Sequence, residues 1–261
     1  MEIEPGSRAL VTGASRGIGR AVSEELARRG CAVGLLARSE EELHELAGSL
    51  PGSGHEVLPA DVGDRDGVTA AIERFGVVDV LVANAGVADY GRFLAMDLEL
   101  VEGMTRMNWL GTVYTVRAAL PAMLARRRGH LVIVSSGAAL RTFPQAAVYG
   151  ATKAAQRGLA EALWHELAGT GVDVTIVYPG EIRTELHGHE REALPAWRDK
   201  AEEADPAELA HRVVQAVEEC ERAVYYPSNV RALRAVHGLS PRLADLAMRR
   251  LRGITAAPRS G

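Results

Sequence analysis

Tyr149 and Lys153 stand four residues apart in the segment YGATK. On a helix that spacing puts both on one face. A phenol releases its proton at a pKa of about 10, too high for ready exchange near neutrality. A neighbouring ammonium favours the phenolate and brings that proton within reach. A tyrosine so placed can deliver a proton to a substrate oxygen or take one back. Taken alone, the pair could equally be ordinary helix surface, so its weight depends on what surrounds it.

A second chemical stretch lies near the amino end, TGASRGIG at Thr12–Gly19. Gly13, Gly17 and Gly19 allow positive φ and close backbone approach. The helical pattern that follows offers free N–H groups and a partial positive charge to a phosphate. The spacing is G-x-x-x-G-x-G, which differs from the common dinucleotide fingerprint, and a tight strand–helix turn would read the same way. Its place directly after the first apolar run favours phosphate binding, with Ser15, Arg16 and Ile18 in the loop.

These residues need a scaffold that brings the two stretches together. Near-continuous apolar runs occur at Arg8–Thr12, Ala32–Ala37, Glu56–Pro59, Asp79–Ala83, Leu131–Ser135 and Val172–Tyr178, with a short last one at Ala223–Tyr226. Such runs read as strands covered on both faces. Helical patterns fall between them at Gly19–Arg29, Glu40–Leu50, Val68–Phe75, Leu98–Arg127 and Gln145–Ala168. The alternation predicts an α/β Rossmann-type doubly wound fold: about seven parallel strands, helices on both faces, one domain over 1–261. Residues 181–205 are polar and irregular just beyond a strand end, where such sheets bind ligands. Residues 228–252 carry six arginines and one aspartate on an amphipathic pattern. That tail reads as a helix packed on the body, with a membrane-surface element as the alternative.

The dinucleotide follows from the second strand. An acidic residue at its end would hold a ribose 2′-hydroxyl; here Ala37 takes that place and Arg38 follows. Arg16 and Arg38 together suit a 2′-phosphate, so NADP(H) is expected over NAD(H). Ser39 with Glu42 also spells a capping box for the next helix, which does not exclude phosphate binding by Arg38. Asp61, beside Val62 in LPADV, either accepts from the adenine amino group or caps the next turn.

Composition bounds the rest. The 261 residues carry a net charge of −4, with 47% apolar and 25% charged residues, so no basic field points to nucleic acid. Cys31 and Cys220 read as buried thiols of a reducing compartment. His165, His187, His189, His211 and His237 show no metal-ligand spacing, and no metal is expected. No signal peptide or membrane-length apolar run is read, and a cytoplasmic protein is expected.

TGASRGIG at 12–19, NAG at 84–86, MN at 107–108, SS at 135–136, YGATK at 149–153 and PG at 179–180 together resemble the short-chain dehydrogenase/reductase family, over about residues 5–227. The resemblance implies an oxidoreductase with Asn108, Ser136, Tyr149 and Lys153 as its catalytic four. Ser136 is chosen over Ser135 because it lies thirteen residues before Tyr149, the family's usual spacing. Asn84, Ala85 and Gly86 would support the adenosine side. Pro179, Gly180, Ile182 and Thr184 would hold the nicotinamide, whose oxidised form further favours the Tyr149 phenolate. Lys153 would also reach the nicotinamide ribose, Ser136 would bind the substrate carbonyl oxygen, and Asn108 would hold a water linking Lys153 to solvent.

The expected reaction is reversible reduction of a ketone or aldehyde by NADPH. Leu140, Phe143, Leu186 and Trp197 suggest a medium-sized, mostly hydrophobic substrate, while Arg141 and Arg183 leave an acidic one open. A non-catalytic NADP(H)-binding regulatory or scaffold protein is the alternative from another class. The family also implies a homodimer or homotetramer through the two long helices.

Overall fold

The computed structural model describes residues 1–183 and 203–232. Thr184, Leu186, Trp197 and most of the basic tail lie outside the described residues.

Seven strands form one sheet: β1 (Arg8–Thr12), β2 (Ala32–Ala37), β3 (Glu56–Pro59), β4 (Val80–Ala83), β5 (Gly129–Val134), β6 (Val172–Pro179) and β7 (Ala223–Tyr226). Their order is β3-β2-β1-β4-β5-β6-β7, and every pair is parallel. The expected doubly wound fold is therefore present. The direction of winding reverses between β1 and β4, which opens a crevice at the strands' carboxyl ends.

Alternation within the strands explains the two layers. Ala9 and Val11 of β1, with Val132 and Val134 of β5, face a core completed by α1 (Gly17–Arg28), α2 (Glu40–Ser49) and α7 (Pro206–Glu218). Leu10, Leu131 and Ile133 face the opposite core, with α3 (Arg65–Phe75), α5 (Gly111–Arg126) and α6 (Ala147–Glu166). Strands buried on both sides must be apolar throughout, which is why they were legible as runs.

The structure corrects several expectations. The long helix read over 98–127 is three pieces: α4 (Leu98–Met104), a π-helical segment (Thr105–Leu110) and α5. Helix α7 was not anticipated. Asp205 caps it by accepting from Ala207 N–H at 2.8 Å, and Pro206 opens it. The Ser39 and Glu42 capping box does not form, for Ser39 stands at the α2 N-cap without a side-chain bond. Cys31 is buried, and burial pushes its thiol up to about 11. Cys220 is exposed, at a left-handed position (φ 52°) just past α7.

Candidate active site

The glycine loop is held by Asn84. Its amide donates to Thr12 O at 3.0 Å and Gly13 O at 3.3 Å, and its N–H donates to Thr12 Oγ1 at 3.0 Å. These bonds tie the end of β1 to the end of β4 and leave no room for larger residues. A Cβ on Gly19 would fall 2.1 Å from Gly13 O, and one on Gly13, at φ +64°, would fall 2.9 Å from Ala85 Cα. Helix α1 begins at Gly17 with no acidic residue in its first turn and no side-chain cap from Arg16. Its first N–H groups are thus left for an anion.

One cleft of about 370 Å³ runs from this loop across the carboxyl ends of the strands. Gly13, Ser15, Arg16, Gly17, Ile18, Arg38 and Ser39 line one end. Val62, Asn84, Ala85 and Gly86 line its middle; Ser136, Phe143, Tyr149, Lys153, Pro179, Gly180 and Ile182 line the other end. The same cleft takes in Glu42, Tyr90, Met107 and Glu181. Glu42, expected as a helix cap, lines the cleft instead. Asp61 does not line the cleft; its Oδ1 accepts from Gly63 N–H at 2.8 Å, the turn-capping alternative. Leu140, expected at the substrate, is 5% exposed and packs in the core with Tyr178 and Val230. The short 3₁₀ turn Gly137–Ala139 swings it inward.

At the far end, Tyr149 is the third residue of α6, which has no acidic residue in its first turn. The helix amino terminus favours a phenolate there. Tyr90 packs edge-on against the Tyr149 ring at 5.9 Å between centroids. Lys153 Nζ lies 5.9 Å from the same ring centroid and donates to Val134 O at 3.0 Å. Burial pushes the Lys153 ammonium down to about 8. Ser135 Oγ donates to Lys153 O at 2.9 Å, pinning α6 to the end of β5. Ser136 Oγ accepts from Ala138 N–H at 3.1 Å, which leaves its hydroxyl hydrogen to donate into the cleft. Of the SS pair, then, Ser135 is tied to the scaffold and Ser136 lines the cleft.

Asn108 lies in the π-helical segment and is fully buried. It does not line the cleft. Its Oδ1 accepts from Val87 N–H at 2.8 Å, and its amide donates to Val87 O at 2.9 Å and Thr152 Oγ1 at 3.0 Å. Both amide hydrogens are therefore spent on positioning. Its backbone carbonyl accepts from Gln156 Nε2 at 2.9 Å. Gly86 marks where these parts converge, since a Cβ there would fall 3.0 Å from Asn108 Oδ1 and 3.5 Å from Lys153 Nζ.

Residues 7–195 match the model of the short chain dehydrogenase family. An uncharacterized oxidoreductase of Staphylococcus saprophyticus is 34% identical over 218 residues, covering 81% of this chain and 91% of that protein. A glycine betaine reductase of Emericella nidulans is 38% identical, but the chain spans only 18% of its length. A short chain dehydrogenase from Burkholderia cenocepacia, solved in complex with NADP, superposes with a TM-score of 0.82 at 28% identity, over 98% of this chain and 100% of that one. A 3-oxoacyl-[acyl-carrier protein] reductase from Brucella melitensis with bound NAD superposes with a TM-score of 0.74 at 28% identity, over 86% of this chain and 92% of that one. The chain belongs to the short-chain dehydrogenase family, a family of oxidoreductases.

Proposed function

We propose that this short-chain dehydrogenase reversibly reduces the carbonyl of a medium-sized, mostly hydrophobic ketone or aldehyde, using NADPH, with Tyr149 as the general acid. The observation that carries this reading is one cleft with Tyr149, Lys153 and Ser136 at one end and Arg16 and Arg38 at the other. The glycine cradle, in which a Cβ on Gly13 or Gly19 would collide with backbone, fits a pyrophosphate lying against the α1 amino terminus. Arg16, Arg38 and Ser39 would hold the adenosine end. Two guanidiniums against one carboxylate, Glu42, favour a 2′-phosphate there. Val62, Asn84, Ala85 and Gly86 would flank the middle, and Lys153, Pro179, Gly180, Ile182 and Thr184 the nicotinamide. When bound, the nicotinamide supplies or takes up the hydride.

The chain's own residues do the remainder. Ser136 donates a hydrogen bond to the substrate oxygen and fixes its position. Tyr149 gives that oxygen its proton in reduction and removes it in oxidation. The Lys153 ammonium, beside the ring, favours the phenolate that remains. Asn108 holds Val87 and Thr152 in place around Lys153. Ala138, Phe143, Ala146 and Tyr90 make the substrate end largely apolar. The exposed Phe93, Leu94 and Leu98 support the homo-oligomer that the family resemblance implies, and the activity suits a cytoplasmic pool of NADPH.

The test is nicotinamide absorbance with a panel of hydrophobic ketones and aldehydes, run with NADPH and with NADH. The reading expects turnover with a higher kcat/KM for NADPH. Tight NADPH binding without turnover across the panel would instead support a regulatory, non-catalytic protein.

A further inference from the structure

The amino ends of the same strands carry a second group of chemically able side chains. His130 is the second residue of β5, and Asp173, its registered partner, the second of β6. A ring nitrogen of His130, a carboxylate oxygen of Asp173 and Cys220 Sγ all lie within 4.8 Å of one another. Asp173 and Cys220 are exposed, whereas His130 is fully buried. None of the three lines the cleft described above.

The hydrogen bonds fix the state of the imidazole. Thr175 Oγ1 donates to Glu221 O at 2.5 Å, so its oxygen accepts from His130 Nε2–H at 2.7 Å. Nδ1 is buried and without a hydrogen-bond partner among the described residues. A metal-ligating histidine has this form: one nitrogen donates to the protein and fixes the tautomer, and the other coordinates.

We propose that His130 Nδ1, Asp173 and Cys220 Sγ form a divalent-metal site suited to zinc. Imidazole, carboxylate and thiolate together are the donors zinc takes, and a thiolate disfavours magnesium or calcium. Three protein ligands leave a fourth position for water. The two exposed side chains can rotate to close around the ion, while β5 and its Thr175 contact hold the histidine. An ion there ties β5 and β6 to the end of α7, at the end of the sheet opposite the proposed reaction site.

Co²⁺ titration of chelator-treated, reduced protein without a polyhistidine tag tests the site. One equivalent should give tetrahedral d–d bands and a thiolate-to-cobalt band, all removed by Zn²⁺. Cys220→Ser should abolish the thiolate band, and Asp173→Asn should weaken Co²⁺ binding by about tenfold or more. Cys31→Ser should change neither. Both tested ligands are exposed, so these variants should fold; circular dichroism checks that they do. Absence of a thiolate band in excess Co²⁺ would overturn the site. So would its survival in Cys220→Ser, its loss in Cys31→Ser, or unchanged affinity in Asp173→Asn.

Discussion

The two ends of the cleft are built differently. At the proposed reaction end, Tyr149 and Lys153 are 8% and 5% exposed, and Lys153 is bonded through its side chain to Val134 of β5 and through its carbonyl to Ser135 just beyond it. At the proposed adenosine end, Arg16 and Arg38 sit on connections, with Glu42 exposed beside them. Groups locked to a sheet cannot shift to compensate for a lost neighbour, whereas long exposed side chains can. Substitutions at the reaction end should therefore cost orders of magnitude. Those at the adenosine end should grade selectivity between cofactors.

Ser136→Ala sharpens the contrast most. Loss of one preorganised donor at a developing oxyanion should lower kcat by about 10²- to 10³-fold with little change in NADPH affinity. Steady-state kinetics with a fluorescence titration of NADPH read both effects. An equal loss of NADPH affinity would put Ser136 in cofactor binding instead.

The buried Lys153 predicts a pH effect on folding. Its pKa falls from 10.5 in the unfolded chain to about 8 in the fold, so between those values the unfolded state binds more protons. The penalty for burying the ammonium is complete below pH 8 and relieved as pH rises above it. Lys153→Met does not titrate. The stability of the apo wild type relative to that variant should rise by ~3 kcal/mol from pH 7 to the upper end of this window. Denaturant melts of both proteins across that range check the sign, and a flat difference would contradict a lowered pKa.

Gly19→Ala should destabilise the protein by about 2 kcal/mol and weaken both cofactors alike, since its Cβ would press on Gly13 O at 2.1 Å. Arg38→Ala should have the smallest effect, raising the KM for NADPH by roughly tenfold and leaving that for NADH nearly unchanged. Equal effects on both cofactors would remove Arg38 from phosphate recognition and break the contrast between the two ends.

How much of this was legible follows from range. The inner strands β1, β2, β4, β5 and β6 read as apolar runs because both faces are covered, and the pairing of Tyr149 with Lys153 needs only one helical turn. The glycine loop is likewise local. Features made by tertiary contact were not legible. Leu140 turns into the core because a short 3₁₀ turn precedes it. Asn108 spends its amide on Val87, twenty-one residues away in the chain. Glu42 lies at the cleft although its spacing from Ser39 predicts a cap. Helix α7 does carry local signals, Asp205 at its cap and Pro206 in its first turn, but they sit at the edge of the irregular stretch at 181–205. His130 falls just before the apolar run at Leu131–Ser135, and nothing local marks it until β6 sets Asp173 and Thr175 beside it.

The central claim is that Tyr149 delivers the proton while the rest of the cleft only positions. Tyr149→Phe tests it most directly, with kcat and the NADPH Kd measured on the same preparation. The account predicts that turnover falls by about 10⁴-fold or to background while the Kd stays within a few-fold of wild type. Turnover retained near the wild-type rate would contradict it.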